Sequence, residues 1–103
     1  MTKALYDRDN LTLTVSGHSG YAGKGSDIVC AGISAITIAL VAALDDKGIE
    51  ADVSTGDAEF LCTTTDKAAL PYMDMAAAGI NAISILYEKN AEIEYMALRK
   101  DDD

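Results

Sequence analysis

The stretch "IVCAGISAITIALVAAL", residues 28 to 44, runs for 17 residues without a charge or a proline. No other segment constrains the fold so strongly. It is far longer than an ordinary strand, and as a helix it makes about five turns. Its length sits at the lower limit for a membrane span, but Gly32, Ser34 and Thr37 dilute it and no basic flank precedes it. A buried helix from about Asp27 to Lys47 is therefore expected. Ser26 is its expected N-cap, and Asp27 places negative charge at the positive end of the helix dipole. Gly48 is the expected C′ residue, with Ile49 folding back behind it. A helix apolar nearly all round needs cover on more than one side. One small sheet covers one side only, so a second helix or a second copy of the chain, as in a homodimer, should cover the rest.

The remaining segments supply that sheet. Leu11, Leu13 and Val15 alternate with Thr12, Thr14 and Ser16, the period of a half-buried strand. Residues 3–8 and 11–17 read as two strands joined by a two-residue turn at Asp9 and Asn10, types that tolerate positive φ. Two short strands follow the long helix, at about 49–54 and 58–64, turned by Thr55, Gly56 and Asp57. A second helix is expected from about Pro71 to Glu88, with Met73, Ala76, Ile80, Ile83 and Tyr87 on one face. Residues 91–98 read as a closing strand. The expected fold is α+β, two helices packed on a mostly antiparallel β-sheet in the order β-β-α-β-β-α-β. One domain accounts for residues 1–103, with Asp101, Asp102 and Asp103 as a disordered acidic tail.

Charge narrows the partners. The net charge is −9, a field that repels nucleic acid phosphates and draws neutral or basic molecules. The beginning, "MTKALYDRDN", lacks the apolar core of a signal peptide. A cytoplasmic protein with two reduced thiols and no membrane attachment is expected. His18, Cys30 and Cys62 give three metal ligands at most, without paired spacing, so no metal is expected. The GKG in the loop lacks a phosphate-binding frame, and no cofactor is expected.

Chemistry concentrates in "GHSGYAGKGSDIVCAGIS", residues 17 to 34. His18 ends the second strand and Cys30 begins the long helix, separated by eleven residues. A thiol near a helix N-terminus feels the positive end of the dipole, which favours the thiolate. An imidazole beside it would carry the proton and later protonate a leaving amine. The plain alternative is that Cys30 packs as a small core residue and His18 is a polar surface residue. Cys62, within "AEFLCTTT", reads as a buried strand residue. Amides of Asp27, Ile28 or Val29 are left as oxyanion donors without assignment.

Gly17-His18, Gly20, Tyr21 and Gly25, followed by Asp27-Ile28-Val29-Cys30-Ala31 and Ser34, resemble the ribosomal-processing cysteine proteases, the Prp family. The pattern covers about 18 residues closely, and chain length and element order fit across the rest. The resemblance implies a homodimeric cysteine endopeptidase that removes the N-terminal extension of large-subunit ribosomal protein number twenty-seven. It implies Cys30 as nucleophile and His18 as general base. Gly20, Tyr21, Gly23 and Gly25 would belong to a substrate-gating loop that orders over the bound peptide. Asp27 and Ser34 are candidates to support the dyad or the loop. Ser34 is expected to bond back to the Cys30 carbonyl rather than line the site. Ser19 and Gly32 stand where the family often has alanine, and are expected to alter the fit of substrate residues. Two other readings stay open: a non-catalytic ribosome-associated binding dimer, and a redox sensor using the Cys30 thiol.

Overall fold

The structure, a computed structural model, describes residues 1–23 and 27–96. It contains β1 (Thr2–Asp7), β2 (Thr12–Ser16), α1 (Ile28–Asp46), β3 (Asp52–Gly56), β4 (Glu59–Thr63), α2 (Leu70–Leu86) and β5 (Ala91–Tyr95). A 3-10 turn at Lys67–Ala69 leads into α2. The element order is the expected one. The five strands form one mixed sheet in the order β3-β4-β2-β1-β5, antiparallel throughout except for β1 against β5. Both helices pack on one face of it. Thr2, Ala4 and Tyr6 of β1, and Leu13 and Val15 of β2, are buried, while Lys3, Leu5 and Ser16 remain exposed. Period-two patterning therefore sets the register, since a slip of one residue would turn every core side chain to water.

The turns differ from expectation. Arg8–Leu11 is a four-residue turn in which Leu11, not Asn10, takes positive φ (48°). Asp7 accepts both the amide and the side-chain nitrogen of Asn10. Leu11 can adopt the costlier conformation because its side chain is buried and its carbonyl accepts from Thr64 N. The second hairpin turns at Asp57 and Ala58, with Ala58 at φ 58°, so Thr55 and Gly56 belong to β3.

The C-terminal end of α1 follows its sequence signals closely. Gly48 N bonds the Asp45 carbonyl and Ile49 N the Leu44 carbonyl, the paired bonds of a Schellman ending, with Gly48 at φ 72°. The N-terminal end does not. Asp27 is the N-cap, its carboxylate accepting from Val29 N and Cys30 N; Ser26, like Gly25 and the tail Asp101–Asp103, lies outside the described residues. The last two residues expected in β5, Ala97 and Leu98, also lie outside them.

Val29, Ile33, Thr37, Leu40 and Leu44 bury α1 against the sheet. Met73, Ala76, Ala77 and Ile80 do the same for α2, whose Pro71 sits in the first turn. The two helices touch where one presents glycine to the other. A Cβ on Gly79 would stand 3.0 Å from Ile36 Cδ1, and one on Gly32 would stand 3.2 Å from Ile83 Cδ1. Gly32 thus serves helix contact. Across the outer side, Ile28, Ala31, Ala35, Ile38 and Ala42 of α1 form an exposed stripe at helical spacing, and so do Met75, Ala78, Ala82 and Ile85 of α2. Ile38 is 66% exposed and Met75 73%, so the second helix covers only part of what α1 leaves open. Tyr6 donates to Asp74 Oδ1 at 2.7 Å, and Arg8 engages both oxygens of Asp74, tying the β1 end to α2. The guanidinium holds the Asp74 carboxyl below its usual range.

Candidate active site

The chain leaves β2 at Gly17, whose φ of 90° turns it towards α1. Gly17 N donates to the Ala58 carbonyl at 2.9 Å, and its own carbonyl accepts from Thr2 Oγ1 at 3.1 Å. These bonds fix the point at which His18, exposed, follows the end of β2. Cys30 is the third residue of α1 and half-buried. His18 and Cys30 line one cleft of about 400 Å³, together with Ser34, Thr55, Glu59 and Phe60. The sheet end and the helix start therefore bring the two expected catalytic residues to a common cavity. Among the described residues no hydrogen bond joins their side chains. The Cys30 Sγ instead receives the backbone N–H of Ser19 at 3.4 Å.

Ser19 has a part in the structure that the sequence reading did not give it. It is 2% exposed, and its hydroxyl donates to the Asp27 carboxylate and accepts from Tyr21 N. Its carbonyl accepts from Asn90 Nδ2 at 3.1 Å. Neither Ser19 nor Gly32 lines the cleft; both make contacts within the scaffold. No local signal marks Ser19; a buried serine beside an acidic cap is visible only once loop and helix are folded together.

Asp27 joins two tasks that the sequence left as alternatives. Its Oδ1 caps α1 through Val29 N (3.0 Å) and Cys30 N (2.9 Å), and its other oxygen holds the loop through Ser19. Val29 N is therefore committed to the cap and is removed from the free amides considered for an oxyanion. The Ser19 hydroxyl chiefly, then the Cys30 amide and more weakly those of Ala22 and Val29, hold the Asp27 carboxyl down to about 2, against a burial effect that raises it. A folded value below the ordinary 3.8 means that this carboxylate stabilises the fold above about pH 4, and that its contribution is lost as pH falls towards 2. Thermal unfolding of wild type and Asp27→Asn between pH 2 and pH 6 should show a gap in Tm that closes on acidification. A gap of constant size would mean the charge contributes nothing.

Ser34 lines the cleft and, among the described residues, makes no bond to the Cys30 carbonyl, contrary to expectation; Thr37 Oγ1 instead bonds back to the Ser34 carbonyl at 3.0 Å. In the loop, the Tyr21 ring meets Tyr87 edge-on, with centroids 5.4 Å apart and planes at 84°. Gly20 and Gly23 flank it, and Gly25 is outside the described residues. Cys62 is fully buried in β4, where desolvation pushes its thiol pKa up. A larger cavity of about 680 Å³, at the other end of α1 beside Asp45, Glu50 and Asp52, contains none of the candidate residues.

The family described as "Cysteine protease Prp" matches residues 1–93. Among solved structures, the chain is similar to the essential ribosomal processing protease Prp from Staphylococcus aureus with a covalently linked product peptide, at 22% identity and a TM-score of 0.84. That match covers 93% of this chain and 100% of the other. The same protease with a substrate peptide gives 20% identity and a TM-score of 0.80, with the same coverage. SMU.848 from Streptococcus mutans gives 18% and 0.69, covering 94% of this chain and 93% of that one. No curated protein matches the sequence.

Proposed function

This chain belongs to the cysteine protease Prp family, and on that premise we propose that it removes the N-terminal extension of ribosomal protein number twenty-seven through Cys30 and His18. The observation that carries the reading is the shared cleft: a half-buried thiol at a helix start, met by the Ser19 amide, with the chain's only histidine on the same wall. The Cys30 thiolate attacks the scissile carbonyl carbon and forms a tetrahedral oxyanion. His18, protonated, gives its proton to the departing amine as the C–N bond breaks, leaving a thioester on Sγ. Water then attacks the thioester, its proton passing to His18. The C–S bond breaks, the carboxyl product leaves, and the thiolate is restored.

The Gly20–Gly23 segment orders over the extended peptide, and glycine lets it bend without strain. A net charge of −9 suits a basic ribosomal substrate. The exposed apolar stripes of α1 and α2 support a homodimer, and the two free thiols suit a cytoplasmic setting. Intact-mass analysis of the host's full-length ribosomal protein twenty-seven, incubated with this protein, should show loss of one N-terminal fragment. Binding without any fragment would replace the peptidase with a non-catalytic ribosomal partner. Sedimentation velocity at micromolar concentration should give a species of twice 10.8 kDa; a monomer there would remove the dimer.

A further inference from the structure

We infer that Asn90 and Tyr87, far from the cleft in sequence, are positioning residues for the Cys30 centre, acting through Ser19. The inference rests on the peptidase reading above for its kinetic consequence, but its geometry is independent of any substrate. Asn90 donates from Nδ2 to the Ser19 carbonyl at 3.1 Å across 71 residues of sequence. Its backbone is pinned on both sides: its N–H bonds the Tyr87 carbonyl at 2.8 Å, and its carbonyl accepts from Thr2 N at 2.9 Å. The side-chain amide is thus presented from a fixed point between the end of α2 and the start of β5. Tyr87 is the C-cap of α2, and its ring carries the edge of Tyr21, two residues beyond Ser19.

Ser19 is thereby held at three places. Asn90 takes its carbonyl, Asp27 takes its hydroxyl, and its N–H points at Cys30 Sγ. The peptide plane that carries this N–H also carries the His18 carbonyl, so fixing it limits where the imidazole can stand. The Ser19 carbonyl that Asn90 takes belongs to the next plane, Ser19–Gly20, which meets the first at the Ser19 α-carbon, so fixing it from the α2–β5 junction leaves the His18–Ser19 plane less room to turn. Small displacements of a reacting group are costly: a 1 Å error can cost about 100-fold in rate.

The test measures cleavage kinetics and the alkylation rate of Cys30 by iodoacetamide at neutral pH, with Cys62 labelling as the control for folding. Asn90→Ala and Tyr87→Ala should each lower kcat about tenfold with KM changed less than threefold, and should slow Cys30 alkylation by a similar factor. Tyr87→Phe, which keeps the ring edge contact, should restore wild-type values. Asn90→Asp keeps the size of the side chain but presents an acceptor to a carbonyl, and serves if an alanine variant exposes Cys62; the same losses are expected. Wild-type kcat and Cys30 alkylation within twofold in folded variants would overturn the inference, as would a change confined to thermal stability. If the wild type cuts no ribosomal protein while the variants still slow Cys30 alkylation, the proposed substrate is wrong and the positioning role stands.

Discussion

Cys30→Ala is expected to lower turnover by at least about 10⁴-fold while leaving substrate affinity within a few fold. In the proposed mechanism the Cys30 thiol forms the acyl intermediate, so its removal takes away the covalent route. Alanine is smaller and apolar, and the site is half-buried at the third residue of a helix whose capping bonds are all backbone to Asp27. The fold should therefore survive, and unfolding curves of variant and wild type should nearly superimpose. His18→Ala is expected to fall short of this, because the nucleophilic sulfur and the Ser19 amide beside it remain in place. Single-turnover cleavage of the full-length ribosomal protein, with affinity measured on the same variants, separates the two effects. Cleavage by Cys30→Ala at more than a hundredth of the wild-type rate would exclude Cys30 as the nucleophile.

Gly17→Ala should have the largest effect of any single methyl added to the chain. At φ 90° an L side chain is strained, a cost of about 1–3 kcal/mol for the conformation alone. The new Cβ would also stand 2.5 Å from the Met1 carbonyl oxygen, a backbone atom that cannot rotate away. Either the start of β1 moves or the strand end flips, and both alter where His18 leaves the sheet. The expected result is a lower denaturation midpoint together with a fall in kcat. Gly48→Ala offers the control: it shares the positive φ of 72° but has open space where its Cβ would go. If the two variants lose equal stability and both keep full activity, the close approach at Gly17 is not what positions His18.

The element order was legible because two periods dominate the chain. Leu11, Leu13 and Val15 alternate as a half-buried strand must, and residues 28 to 44 admit little besides a helix. The turns were not legible, because the residues that take positive φ are Leu11 and Ala58 rather than the neighbouring Asn10 and Gly56. In both cases tertiary anchoring outweighed local preference, as the burial of Leu11 shows. The start of α1 was placed one residue early, on Ser26, because Asp27 was read as a charge near the helix dipole and not as the cap it is through Val29 N and Cys30 N. His18 and Cys30 stood out in the sequence by residue type and spacing. Ser19, Tyr87 and Asn90 did not, since an ordinary loop serine and a helix-end tyrosine meet their partners only once segments 71 positions apart have folded together.

The parallel pairing of β1 with β5 also has a kinetic consequence. Thr2 lies opposite Ala91, so β1 gains its second neighbour from the last strand of the described chain. Such a pairing closes nearly the whole chain as one loop, and its entropy must be met before the contacts reward it. A nascent polypeptide still threaded through the ribosome lacks β5, and with it the amide that secures Ser19. Synthesis from the N-terminus thus leaves the Ser19–Asn90 contact unmade until Asn90 and β5 have emerged, so the loop beside Cys30 is among the last parts of the described fold to be secured.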